Sequence, residues 1–389
     1  MINEIIMTIS SLLLIGYLFD ITASKTKIPS VVLLILLGFG VSRILNAAQV
    51  HLPDIKSVLP FIGTLGLMLI VLEGSLELEI NPSKKGLIVK AMLLSSFSIM
   101  LMSIATALLI QYFHPCTFKI ALINAIPFSI ISSAIAIPSV HSLFKPDKEF
   151  VIYESSLSDI FGVLLFNFIL SNESYDIHAF KTLSLQLVVL ILLSFIASLF
   201  LSFLINKITF HIKFIPIILF TAFIYALAKY FHLPSLLFIM IFGLFLGNLD
   251  ELKKNKWIAK LHPESLDSEV IKFKELMLEI TFLIRSLFFL VFGFSIQLAE
   301  IIQLDALLIS TSIVIIIYAI RWILLKFLKI AFKPIVYVAP RGLITILLFL
   351  TIPLTYQLPL INKSVVLQVI LLTSFIMIFG LVKFDKIHS

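Results

Sequence analysis

Residues 124–138 read Asn-Ala-Ile-Pro-Phe-Ser-Ile-Ile-Ser-Ser-Ala-Ile-Ala-Ile-Pro, a polar and proline-containing stretch inside an apolar run. Proline removes a backbone donor and clashes with the preceding helical turn, so the stretch predicts a helix that is interrupted near its middle. A second such stretch, residues 334–353, carries Pro340, Arg341 and Gly342. Each interruption taken alone is equally compatible with a simple kink.

The composition around these stretches is that of a membrane protein. Of the 389 residues, 60% are hydrophobic and 13% charged, and the mean hydropathy is +1.14, which is too apolar for a surface that faces water. No low-complexity run divides the chain, so we expect one membrane domain over residues 1–389. The formal charge of +7 comes from short lysine clusters between apolar runs, which indicates topology and not nucleic-acid binding. A single cysteine, Cys116, excludes an internal disulfide or a CxxC site.

Apolar runs long enough to cross a bilayer as helices predict an all-α integral membrane protein with about 13 spans. The predicted spans are 4–23, 28–46, 58–79, 87–112, 118–143, 150–171, 182–206, 213–231, 234–250, 277–299, 304–328, 334–357 and 364–384.

The basic residues predict the orientation of these spans. One set of alternate loops carries 20 of the 29 Lys and Arg residues and the other set carries 6, while Arg285, Arg321 and Arg341 lie within spans. Cytoplasmic loops carry the excess of positive charge. We therefore expect the N-terminus outside and the C-terminus in the cytoplasm.

The two interrupted spans, the fifth and the twelfth, hold matching positions if the chain is an inverted repeat. Repeat one would cover about 4–171, a linker helix about 182–206, and repeat two about 213–384. An offset of seven spans reverses the direction of crossing, which is the plan of secondary transporters whose ion sites form at broken helices. The pattern therefore favours a transporter.

The sixth span reads Glu154-Ser-Ser-Leu-Ser158-Asp159, and places Asp159 about half-way across the membrane. Burying a charge is costly, so an intramembrane carboxylate is a functional candidate. Ser155 and Asp159 share a helix face, and Ser158 lies beside Glu154 on the neighbouring face. A carboxylate that holds either a proton or a cation, but never both, is an exchange mechanism. The structural alternative is an aspartate satisfied by hydroxyls or a buried arginine.

Two further charges have expected roles. Glu154 lies nearer the cytoplasmic end, and its expected partner is Arg321 on span eleven, because a lone buried ion is unstable. Arg341 follows Pro340 at the interruption of span twelve, where a guanidinium can offset the carbonyl ends of half-helices.

The chain resembles the monovalent cation:proton antiporter superfamily of the sodium/proton exchanger type. The resemblance covers nearly the whole chain and lies in six motifs in order: Gly74-Ser-Leu-Glu77, Ser132-Ser133-Ala134, Glu154 to Asp159, Arg285 to Gly293, Ala319-Ile-Arg321 and Pro340-Arg341-Gly342. It implies the sodium/proton antiporter fold, a homodimer, and a core that moves like an elevator. It also implies the Glu154 and Arg321 ion pair, and an ion site at Asp159 with nearby hydroxyls of span five. The predicted ion-binding residues are Asp159, Ser158, Ser155, Ser132 and Ser133, with Arg341 as the counter-charge at the crossing of the broken helices.

Two departures from the family pattern bear on mechanism. Electroneutral members usually carry Asn-Asp and electrogenic members Asp-Asp where this chain has Ser158 and Asp159, so one proton per cation is the simplest stoichiometry. Span five lacks the Thr-Asp-Pro sequence of many sodium exchangers, which leaves sodium, potassium and lithium open. We expect exchange across the cell membrane, in contact with lipid, without a cofactor.

Three other functions remain open at the level of sequence. An intramembrane protease needs two facing aspartates, and no HExxH or GxSxG motif is present, so an enzyme is disfavoured. A sodium-coupled solute symporter shares the inverted-repeat plan, and a membrane sensor could retain the same fold without transport.

Residues 251–276 fit either an amphipathic cytoplasmic helix or a plain linker.

Overall fold

A computed structural model describes residues 2–26, 28–48, 59–78, 82–140, 143–172, 181, 184–186, 188–197, 200, 214–231, 233, 235–248, 265–297, 303–330 and 333–385. This part of the chain is helical and contains no β-strand. The helices are α1 (Ile2–Thr26), α2 (Ser30–Ala47), α3 (Leu59–Glu77), α4 (Lys85–Phe113), α5 (Phe118–Ser129), α6 (Ser133–Ser139), α7 (Lys145–Ser171), α8 (Phe214–Tyr230), α9 (Ser235–Gly247), α10 (Ser265–Phe294), α11 (Leu304–Phe327), α12 (Leu343–Thr351) and α13 (Lys363–Asp385).

Within the described residues, the helical segments follow the order of the predicted spans. Among the described residues, six helical segments are long and apolar enough to cross a membrane: Lys85–Phe113, Phe118–Ser139, Lys145–Ser171, Glu269–Phe294, Leu304–Phe327 and Lys363–Phe384. Shorter apolar helices occupy Met7–Ala23, Ser30–Leu45, Ser184–Ala197, Phe214–Tyr230 and Ser235–Gly247. Each predicted span thus has a helical segment in the described residues, and the prediction of an all-helical, multi-pass membrane protein is confirmed.

Both predicted interruptions are present. In the first broken span, α5 ends at Ser129, residues 130–132 are extended, and α6 begins at Ser133; we call residues 130–132 the first break. In the second, a 3-10 turn at Ile335–Tyr337 is followed by residues 338–342, the second break, and then by α12. Pro340 contributes to the second interruption, because it disfavours helical geometry at the preceding residue and has no amide hydrogen.

The first broken span lies in the protein interior. Every residue from 121 to 136 is buried, whereas the neighbouring helix α4 exposes Phe97, Met100 and Leu108. Such apolar exposure is what a face in contact with lipid requires. The polar backbone of the first break is therefore protected from hydrocarbon by protein on all sides.

Helix α10 differs from the prediction. The sequence placed a span at 277–299 after a surface helix or linker at 251–276, but α10 is continuous from Ser265 to Phe294. Phe273 and Met277 are buried and lie four residues apart on one face of the helix. The first turns of α10 therefore carry charged residues on the outside and an apolar stripe on the inside. No proline or glycine interrupts residues 265–292. Residues 251–264 lie outside the described part.

The chain forms two compact units that alternate along the sequence. One comprises Met1–Gly66, Val89–Gly162 and Leu283–Ser389, and contains both broken spans. Within it α2 and α10 approach closely, because a Cβ atom at Gly38 would overlap the carbonyl of Leu290 and one at Gly293 would overlap that of Ile35.

The other unit comprises Leu67–Ile88 and Val163–Phe282. Within it Asn248 donates a hydrogen bond of 2.7 Å to the carbonyl of Leu78, and Gly243 packs against Ser75. These contacts join the end of α9 to the end of α3.

Candidate ion-binding site

Asp159 lies on α7 beside the first break. The residue is 6% exposed, and its Oδ2 atom accepts a hydrogen bond from the hydroxyl of Ser133, the first residue of α6. The other oxygen, Oδ1, is buried and has no hydrogen-bond partner. A buried carboxylate oxygen without a donor is costly, so this atom is available to a proton or a cation.

The other predicted hydroxyls differ in what they contact. Ser158 Oγ accepts the amide hydrogen of Ile131 at 2.9 Å, so this side chain holds the backbone of the first break. Ser155 Oγ donates to the carbonyl of Ile152 in its own helix at 3.3 Å. Ser132 Oγ is buried and unpartnered. The structure therefore places Ser133 in direct contact with Asp159, and leaves the Ser132 hydroxyl unpartnered at the same break.

The two breaks touch each other. The amide of Ser132 donates to the carbonyl of Pro340 at 2.9 Å. A Cβ atom at Gly342 would lie 2.7 Å from Ser132 Oγ and 2.6 Å from Ile135 Cδ1, so any larger residue there would force these side chains to shift. This close approach joins the non-helical backbone segments of the two broken spans.

Arg341 is fully buried in the second break and reaches into the first broken span. Its Nε donates to the carbonyl of Phe128, near the end of α5, at 2.7 Å. Its Nη1 donates to the carbonyl of Ala339 at 3.2 Å, and its Nη2 contacts Met102 Sδ at 3.3 Å. The guanidinium thus lies at the carbonyl end of a half-helix, where a positive charge is stabilised by the helix dipole.

Glu154 and Arg321 form a buried pair one turn along α7 from Asp159. Arg321 Nη1 and Nη2 donate to the two oxygens of Glu154, the second at 2.9 Å. Arg321 Nε and Nη2 also donate to the carbonyl of Ile335, at 3.1 and 2.9 Å. A forked guanidinium with this many acceptors can compensate the cost of burying both charges. The pair connects α7 and α11 to the second broken span.

Three hydroxyls near the second break were not singled out from the sequence. Thr345 Oγ1 and Ser374 Oγ are buried without a partner, and Thr373 Oγ1 accepts the amide hydrogen of Arg341 at 3.1 Å. The available signal was a hydroxyl residue inside a strongly apolar span. That signal is weak, because serine and threonine also bond to the carbonyls of their own helix.

The arrangement can bind one small cation or one proton. It offers one carboxylate, nearby hydroxyl oxygens and the carbonyl-rich ends of half-helices, which are hard oxygen ligands. In the described residues no three His, Cys, Asp or Glu side chains are grouped so as to hold a metal ion. A monovalent cation suits a site with a single negative charge.

Comparisons of the sequence with family models and of the structure with solved structures both lead to sodium/proton antiporters. The family model described as sodium/hydrogen exchanger, transmembrane, matches residues 9–384. A structure of the sodium proton antiporter MjNhaP1 from Methanocaldococcus jannaschii at pH 8 superposes with a TM-score of 0.72 at 19% identity, covering 99% of this chain and 97% of that one. An electron-microscopy structure of the same antiporter gives 0.68 at 19% identity, over 99% and 96%. No curated protein sequence matches the chain.

Proposed function

Since this chain belongs to the sodium/hydrogen exchanger family, we propose that it exchanges protons for a monovalent cation at Asp159 by alternating access. Sodium is the first candidate ion, because the structurally similar MjNhaP1 is described as a sodium proton antiporter, and potassium and lithium are the others. The observation that carries the proposal is the buried carboxylate with one oxygen held by Ser133 and the other unpartnered.

The exchange follows from competition for one group. A proton neutralises Asp159, and the neutral carboxyl has no charge with which to hold a cation. A bound cation in turn excludes the proton by like-charge repulsion at close range. Ser133 orients the carboxylate, and the hydroxyl oxygens of Ser132, Ser155 and Ser158 lie in the same region of α6 and α7 as candidate ligands or supports.

One carboxylate favours an electroneutral cycle of one proton per cation. Ser158 supplies no second acid, and its hydroxyl holds the Ile131 amide. Glu154 is committed to Arg321, so its role in this proposal is structural. Arg341 supplies a fixed positive charge at the crossing of the broken spans. We place the protein in the cell membrane as a homodimer, with the N-terminus outside and the C-terminus in the cytoplasm.

The test is proton flux in proteoliposomes that contain a pH-sensitive dye. Addition of Na⁺, K⁺ or Li⁺ to the wild type should drive proton movement, and Asp159→Asn should reduce it to background, because the amide keeps the shape but does not titrate. Asp305→Asn is the matched control, since Asp305 is an exposed carboxylate in the first turn of α11. Its exchange rate should equal that of the wild type.

An imposed membrane potential tests the stoichiometry in the same vesicles. An electroneutral cycle is insensitive to the potential, whereas an electrogenic one accelerates or slows with its sign. Proton movement that requires an organic solute would establish the symporter instead. Folded wild-type protein that moves no protons with any cation, at any pH between 5 and 9, would end the antiport proposal.

A further inference from the structure

The peptide group between Pro340 and Arg341 is held from both sides. Its N–H donates to Thr373 Oγ1 at 3.1 Å, and its carbonyl accepts from the Ser132 amide at 2.9 Å. The two atoms belong to one planar unit, so fixing one of them restricts the orientation of the other. Thr373 on α13 is thereby connected to the first break.

The connection continues to the ion site. Ser132 directly precedes Ser133, whose hydroxyl donates to Asp159. A continuous series of bonds therefore leads from Thr373 through the Pro340 and Arg341 peptide to the carboxylate.

Thr373 is itself well fixed. It is fully buried, and its hydroxyl donates to the carbonyl of Val369, one turn earlier in α13, at 2.8 Å. Its own carbonyl accepts a hydrogen bond from the hydroxyl of Tyr318, on α11, at 3.2 Å. An acceptor that is anchored in this way can determine where a flexible backbone segment lies.

The two repeats place hydroxyls at equivalent points. Ser158 accepts the N–H of Ile131, the residue before the N-cap Ser132 of α6, and Thr373 accepts the N–H of Arg341, the residue before the N-cap Gly342 of α12. In both repeats the hydroxyl lies on the helix that follows the broken span. This recurrence indicates that each break needs a side chain to hold its backbone.

We propose that Thr373 is a positioning residue for ion exchange, acting through the Pro340 and Arg341 peptide on Ser132, Ser133 and thus Asp159. The inference rests on the function proposed for Asp159. Loss of the Thr373 acceptor leaves the buried Arg341 amide unpaired and frees the peptide to rotate. The Pro340 carbonyl is then no longer a fixed acceptor for the Ser132 amide. As a result, the Ser133 hydroxyl is no longer held in one orientation toward Asp159.

The experiment compares Thr373→Val, which keeps the shape and removes the acceptor, with Thr373→Ser, which keeps the acceptor. Thr221→Val is the matched control, because Thr221 is equally buried and its hydroxyl donates to the carbonyl of Ile217 in its own helix. The cation concentration for half-maximal exchange should rise about tenfold in Thr373→Val, and the pH profile should move. Thr373→Ser and Thr221→Val should match the wild type.

Hydrogen exchange of the segment 128–136 gives a readout that does not depend on transport. Its amides should exchange faster in Thr373→Val than in the wild type or in the two other variants. If Thr373→Val does not fold, Thr373→Cys replaces it, because a thiol is a weak acceptor and should give an intermediate effect.

Wild-type half-saturation and wild-type hydrogen exchange in Thr373→Val would overturn the inference, as would equal defects in Thr373→Val and Thr373→Ser. A loss of folded protein with unchanged half-saturation per folded molecule would show a merely structural threonine and also overturn it. Failure of Asp159→Asn to stop exchange would refute the proposed ion site instead. In that case the hydrogen-exchange comparison alone decides whether Thr373 positions the first break.

Discussion

The first and second breaks share a backbone plan and differ in charge. Each is a non-helical segment before a half-helix, and each donates an amide hydrogen to a hydroxyl on the following helix. The first break faces a carboxylate, Asp159, while the second carries a guanidinium, Arg341. The two breaks thus share a hydrogen-bonding pattern, while the charged side chains beside them have opposite signs.

This difference assigns separate roles to the two breaks. Arg341 extends to the Phe128 carbonyl of the first broken span, so the second break provides a fixed positive charge to the first. Arginine does not lose its proton in the physiological range, whereas a carboxyl group can gain and lose one. Among the described side chains at the two breaks, Asp159 is therefore the one whose charge changes in the proposed cycle.

The largest effect on stability is expected at the ion pair that connects α7 to α11 and the second broken span. Arg321→Ala should lower stability by about 3–5 kcal/mol, since it leaves Glu154 buried and unpaired. Thermal unfolding in detergent measures this as a lower Tm. Replacing both residues together, Glu154→Met with Arg321→Met, should recover part of the loss, and a double variant less stable than Arg321→Ala would contradict the explanation.

The second largest loss of stability is expected when the positive charge of Arg341 is removed. Arg341→Met keeps the length of the side chain but loses the bond to Phe128, and should cost about 2–3 kcal/mol. Arg43→Met is the control, because Arg43 is exposed over the ring of Phe39 and should cost less than about 1 kcal/mol. Equal Tm values for the two variants would show that Arg341 does not hold the breaks together.

The contact between the breaks should be sensitive to a single methyl group. Gly342→Ala should destabilise by about 1–3 kcal/mol, because its Cβ would press on Ser132 and Ile135. Gly40→Ala, at a helix position with open space, should be neutral or slightly stabilising. Adding Ser132→Ala to Gly342→Ala should restore part of the Tm, and no restoration would place the strain elsewhere.

The smallest effect on stability and exchange is expected at Ser374. This residue comes directly after Thr373, just as Asp159 comes directly after Ser158 in the first repeat. Its hydroxyl is buried and unpartnered, so Ser374→Ala should change stability by less than about 0.5 kcal/mol and leave exchange unchanged. Proton flux in proteoliposomes checks this. A threefold loss of exchange would mean that the second repeat retains an active position equivalent to Asp159.

Much of the fold follows from local sequence rules. Apolar run lengths predict the spans, and prolines with polar neighbours predict the two interruptions, because both depend on residues close in the chain. The boundary of α10 was wrong, since charged residues 265–276 look like a surface segment until Phe273 and Met277 are seen to be buried on one face. Burial of a helix face depends on neighbours that are distant in sequence.

The sequence by itself therefore determined that the chain is an all-helical membrane protein with two broken spans and a mid-membrane acid at Asp159. Only the tertiary structure decided which hydroxyl meets that acid, which carbonyls Arg341 bonds, and that Thr373 bonds the second break. Charge burial is costly enough to identify candidates from sequence alone. A hydrogen bond, however, requires two groups within about 3 Å of each other. The two breaks lie some 200 residues apart in the chain.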